Sequence, residues 1–98
     1  MPTLETFERS LSQPQPPADC TPLLQGLWWA AHGDWRRAHE LVQALPGREA
    51  ARVHAYLHRV EGDLDNAGYW YRQAGEAMPA TGLEEEWREL AGRWVAHG

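Results

Sequence analysis

The stretch HAYLHRVEGDLDNAGYWYRQAG, His54 to Gly75, decides the fold. Gly62-Asp63 divides it. Ahead of the pair, a run rich in Ala and Arg reads back to Arg48 without strand alternation, which predicts a helix over Arg48 to Glu61 closed by Gly62. Beyond it, Asp63 or Asp65 is placed to cap a further helix, NAGYWYRQAGEAM, whose end is marked by Pro79, Thr81 and Gly82. Helix, tight corner, helix is therefore the local plan.

The same plan lies just upstream. Gly33-Asp34 recurs as Gly62-Asp63, 29 positions later. In that register Trp35 falls on Leu64, Ala38 on Ala67, Val42 on Tyr71 and Gly26 on Ala55. Thr21-Pro22 is a helix start, Thr as N-cap and Pro at the first helical position. LLQGLWWAAH follows and stops at Gly33. Asp34 caps WRRAHELVQAL, and Pro46-Gly47 ends it. A unit of two short helices cannot hide its apolar face alone and must stack on a neighbour.

These residues resemble the tetratricopeptide repeat. The second unit matches with Ala55, Gly62, Asp63, Ala67, Tyr71, Ala74 and Pro79, and the first with Gly26, Trp29, Gly33, Asp34, Ala38 and Val42. The resemblance spans about Thr21 to Pro79. It implies paired antiparallel helices in which small residues permit close approach and an aromatic fills the adjoining hole. The spacing of 29 is shorter than the family's period of about 34, and two units fall below its usual minimum of three. His54 to Gly75 is also similar to small bacterial tetratricopeptide-like families without an assigned reaction.

Working outward, Leu83 to Ala96 forms a last helix. Leu83, Trp87, Leu90 and Trp94 make an apolar stripe, and Glu84, Glu85 and Glu86 suit the helix N-terminus as a solvated first turn. This helix is expected to lid the second unit. At the other end, Leu4, Phe7 and Leu11 share a helical face. Gln13 to Ala18, with three prolines, then favours an extended linker. The domain reading is an N-terminal arm and Pro-rich linker over 1–19 and a helical-repeat domain over 20–98. The arm is either loosely tethered or docked through Phe7. The fold class is all-α: two tetratricopeptide-like hairpins, a C-terminal capping helix and a short N-terminal helix or arm.

Composition narrows the partners. The 98 residues carry a formal charge of −5, with nine Arg and no Lys. That balance disfavours nucleic acid and anionic membranes. The missing Lys and Ile resemble GC-rich coding, so a bacterial source is expected. Cys20 stands alone, which excludes an intrachain disulfide and a cysteine zinc cluster and suits a reducing, cytoplasmic setting. MPTLETFERSLSQ has no apolar run and does not read as a signal peptide.

Two constellations bear on function. His54, His58 and Glu61 lie within about 60° of one another on a helix. This face is stereochemically able to hold a divalent transition metal, with His39 and Glu40 on the preceding helix as further ligands. The plainer reading is hydrogen-bonded structural histidines; His32 and His97 simply suit helix ends. The second constellation is Tyr56, Arg59 and Arg52 on the opposite side of the same helix, with Trp70. In a tetratricopeptide-like stack the first helices line the concave surface, so these residues are expected to capture a peptide, a partner helix or a second copy of the chain. Trp70 in the plainer reading packs on the Trp87/Trp94 helix. Of Trp28, Trp29 and Trp35, two are expected in core or capping duty.

No phosphate loop, nucleophile elbow or H-E-x-x-H is present, so nothing in the sequence gives reason to propose an enzyme. The expected function is a protein-interaction module without a cofactor. The alternative is a small-molecule- or metal-binding site, with a catalytic form included, on His54, His58 and Glu61 with His39 and Glu40.

Overall fold

A computed structural model of the chain describes residues 3–95. Ala96 and His97 lie outside the described residues. Every regular element among those described is helical: α1 (Leu4–Arg9, continued by a 3-10 turn over Ser10–Ser12), α2 (Pro22–Ala31), α3 (Trp35–Gln43), α4 (Arg48–Glu61), α5 (Leu64–Ala74) and α6 (Leu83–Val95). No described helix is long and apolar enough to cross a membrane.

The two Gly-Asp corners have one geometry. Gly33 and Gly62 sit at φ +88° and +87°, the left-handed region that a side chain would strain. Asp34 Oδ1 then accepts from the Arg37 amide at 3.1 Å, and Asp63 Oδ1 from the Asn66 amide at 3.2 Å. Each corner ends one helix and caps the next, so α2 turns back along α3 and α4 along α5. Gly26 lets α2 and α3 meet: a Cβ there would stand 2.6 Å from Val42 Cγ2. In the second pair Ala55, Ala67 and Tyr71 bury together, with Trp70 packed beside them.

α6 does more than lid the second pair. It lies against both α2 and α4, the first helix of each Gly-Asp pair, and α1 packs on α6 in turn. Phe7 is fully buried and stacks on Trp87 with ring centroids 5.8 Å apart. Burying a side chain of that size is worth about 1.5–3 kcal/mol, and Leu4 and Leu11 add to it by packing against the same core. Phe7 thus shares one core with Leu24, Trp28, Leu57, Trp87 and Leu90. Two indoles of this core keep their N–H groups bonded: Trp87 Nε1 donates to the Leu27 carbonyl at 2.7 Å and Trp28 Nε1 to Ser10 Oγ at 2.9 Å.

This arrangement places α4 at the centre. Every residue from Ala50 to His58 is buried, although the segment contains Arg52, His54, Tyr56 and His58. Both polar faces of α4 are therefore internal, and each must find its partners inside the protein.

Candidate metal centre

One face of α4 carries His54 and His58, one turn apart, toward α3 and α5. α3 delivers His39. One ring nitrogen from each of the three lies within 4.8 Å of the others. His39 Nε2 and His54 Nε2 are 3.0 Å apart. His54 and His58 are buried, while His39 is half-buried and gives the cluster its wet side.

Two tryptophans close the ends of the cluster. Trp35 stacks on His39 with centroids 4.7 Å apart and rings 13° from parallel; Trp70 stacks on His54 at 4.0 Å and 12°. Trp35 is itself fixed by its Nε1–H, which donates to the Leu57 carbonyl at 2.6 Å. The walls are flat and apolar and do not compete for the imidazole lone pairs.

Electrostatics follow from this packing. Burial lowers the His54 pKa to about 4, with the neighbouring His39 and His58 adding to the effect. Burial also lowers that of His39, and His58 contributes, while Glu61 and Glu40 oppose. Both rings are thereby kept in the neutral form that a metal ion requires.

Glu61 stands beside the three-histidine group and is bonded to one of its rings. Its Oε1 lies 2.8 Å from His58 Nδ1. With the proton on Nδ1, the carboxylate orients the ring and leaves Nε2 as the free donor, the arrangement common around metal-bound histidine. Glu40 is exposed and stands outside the three-histidine group. His58, Glu61 and Asp63 also lie within 4.8 Å of one another, but both carboxylates are exposed and that of Asp63 caps α5.

The opposite face of α4 corrects the expected capture surface. Arg52 and Tyr56 are buried, and Arg59 is turned inward against α6. The reason is Glu86, whose side chain is fully buried rather than solvated. It accepts from Arg52 Nη1 at 2.7 Å and Arg59 Nη1 at 2.7 Å, and the Tyr71 hydroxyl donates to it as well. Arg59 Nη2 also holds the Thr81 carbonyl at 2.6 Å. Arg52 continues to Glu76 at 3.0 Å, and Glu76 to Arg93 at 2.9 Å. Burial pushes the Tyr56 hydroxyl up to about 12, and the Glu86 charge adds to it. These groups fasten α6 to α4 and α5.

Trp70 is corrected in the same way: its stacking partner is His54, not the Trp87/Trp94 helix. Trp28 is fully buried, whereas Trp29 is half-buried with the Arg37 guanidinium 4.1 Å above its ring. Sequence reasoning missed Trp35 as a wall of the histidine cluster, and Glu86. A signal for Glu86 exists: Arg52 and Arg59, seven apart on a helix that is otherwise buried, require an internal anion. Cys20 is buried, and burial raises its thiol pKa, with the Asp19 charge adding to it.

Comparison of the chain with known protein families, curated proteins and solved structures finds no match.

Proposed function

We propose that the chain binds a divalent transition metal of the zinc type through His39, His54 and His58, with Glu61 orienting His58. The observation that carries this reading is the convergence of three ring nitrogens within 4.8 Å. Tetrahedral zinc with bonds of about 2.0–2.1 Å sets neighbouring ligand nitrogens about 3.3 Å apart, so the 3.0 Å between His39 and His54 needs only a few tenths of an ångström of opening. Imidazole suits Zn²⁺, Co²⁺, Ni²⁺ and Cu²⁺, not Mg²⁺ or Ca²⁺. Three protein ligands leave a fourth position for water or another donor.

Thermal unfolding tests the proposal. Zinc at about a hundred times its dissociation constant stabilises by about 2.7 kcal/mol, which for a domain of this size raises Tm by about 10 °C or more. His39→Ala, at the half-buried position, removes that rise, and Mg²⁺ produces none. No rise with zinc, or an equal rise in His39→Ala, contradicts the proposal.

A contact surface for another protein, a peptide or a second copy is the other reading. It is favoured by the 57% exposure of Leu64 and the 47% exposure of Tyr69, both on α5. It predicts a sedimentation coefficient that rises with concentration and stops rising in Leu64→Ser/Tyr69→Ser. A coefficient independent of concentration removes the self-association form.

A further inference from the structure

The side of α4 turned away from the histidines leaves one buried polar group without a partner. Tyr56 follows His54 by two residues, about 200° around the helix. The residue is only 6% exposed. Its hydroxyl, unlike that of Tyr71, makes no hydrogen bond among the described residues. No fully covered side-chain oxygen or nitrogen among those residues lacks a partner, so the Tyr56 hydroxyl keeps contact with open space. That space is a cavity of about 300 Å³, where the ends of α1 and α2 and the first turns of α6 meet over α4. Its volume is at the small end of the range for ligand sites.

The groups around the hydroxyl are of two kinds. Leu11, Ala31 and Trp87 present carbon. Trp87 has no polar atom to offer, since its Nε1–H is held by the Leu27 carbonyl. The mouth is charged, with Glu8, Glu84 and Arg88 setting two carboxylates against one guanidinium. Arg88 Nε is 3.5 Å from Glu8 Oε2, so that pair is engaged. Glu84 is exposed and has no cation within ion-pair distance among the described residues. The uncommitted groups are thus one carboxylate at the mouth and one hydroxyl at the base. Burial keeps that hydroxyl protonated at neutral pH, its pKa pushed up to about 12, so it can both donate and accept a hydrogen bond. An anion entering the cavity meets the unpaired Glu84, whereas an ammonium finds its counter-charge there.

We propose that this cavity binds a small organic ammonium ion, its carbon body against Leu11, Ala31 and Trp87, its charge beside Glu84 and a polar atom at its other end on the Tyr56 hydroxyl. The site is on the far side of α4 from His39, His54 and His58 and does not depend on the metal. The hydroxyl supplies the discrimination. A ligand without the polar atom covers an unbonded O–H, which forfeits the hydrogen bond and leaves the group desolvated.

Calorimetric titration of the chain with tyramine tests it, since tyramine carries a phenol at one end and an ammonium at the other. Phenethylamine, which lacks the hydroxyl, and 4-hydroxyphenylacetate, which has a carboxylate in place of the ammonium, are the controls. Tyramine is expected to bind at one equivalent, about fivefold more tightly than phenethylamine, and the carboxylate more weakly than either amine. Tyr56→Phe, which removes one oxygen, is expected to abolish the preference for tyramine over phenethylamine while the circular dichroism spectrum stays unchanged. Glu84→Gln, at an exposed position, is expected to weaken both amines about threefold and to leave their ratio as it was. No heat of binding with tyramine at millimolar concentration, a carboxylate that binds as tightly as the amine, a preference that survives Tyr56→Phe, or amine binding indifferent to Glu84→Gln overturns the proposal. None of these outcomes bears on zinc.

Discussion

At the scale of single residues, polarity inside this protein is either satisfied or given a task. Glu86 is the clearest case. Its buried carboxylate faces two guanidinium groups and a phenol, and Arg52 has only 3% of its side chain exposed. Glu86→Gln keeps the shape and removes the charge, leaving buried cations short of a partner. The expected loss is about 3–5 kcal/mol of unfolding free energy, read from urea denaturation. A loss under about 1 kcal/mol would mean that the network is not what holds α6. The imidazoles on the other face differ. His39, His54 and His58 face one another, so the cluster has ligand atoms in excess of the protein groups they bond.

At the scale of elements, close approach of α2 and α3 depends on a missing side chain. Gly26→Ala gains helix propensity of about 1 kcal/mol, but its Cβ meets Val42 Cγ2 at 2.6 Å. Overpacking of this kind costs about 1–3 kcal/mol, so a net loss in stability is expected, and Gly26→Ala/Val42→Ala should be less destabilised than the two single changes sum to. Additive effects would show that the helices are free to move apart. The elements were largely legible in the sequence because their punctuation is local. Thr21-Pro22, Gly33-Asp34, Pro46-Gly47 and Gly62-Asp63 act through the backbone of a few residues, and each of them lies at a helix boundary. The pairing of the three histidines was half legible: helical spacing aligns His54 and His58, and proximity of α3 brings His39. The seat of α6 was not legible. Glu86 looks like the third of three solvated acids until a distant helix offers it Arg52 and Arg59, and that is a tertiary fact. The expected concave surface was lost for the same reason, since the chain's own last helix lies over Tyr56.

At the scale of the whole molecule, the buried histidines make stability sensitive to acid. In the unfolded chain His54 takes up its proton near pH 6.5, but in the folded protein only near 4. The unfolded state therefore binds the proton first, and stability is full above about pH 6.5 and falls as the pH drops toward 4. The gap corresponds to about 3 kcal/mol. His39 acts in the same direction. Glu76, held below the usual carboxylate range by hydrogen bonding to Arg93 and Arg52, adds stability that is present above its unfolded pKa and lost at still lower pH. The urea midpoint at pH 5 should lie well below that at pH 7, and His54→Phe should flatten the dependence; an unchanged midpoint contradicts the burial of a neutral His54. Two polar layers thus flank the central helix, one binding α6 and one built around three nitrogens. The proposed metal ion belongs in the second. X-ray absorption at the zinc edge of the zinc-loaded protein tests it most directly. One zinc per chain is expected, with four light ligands at about 2.0 Å and the outer-shell scattering of three imidazoles, reduced to two in His39→Ala. Six oxygen neighbours without imidazole scattering, or a spectrum unchanged in His39→Ala, would contradict it.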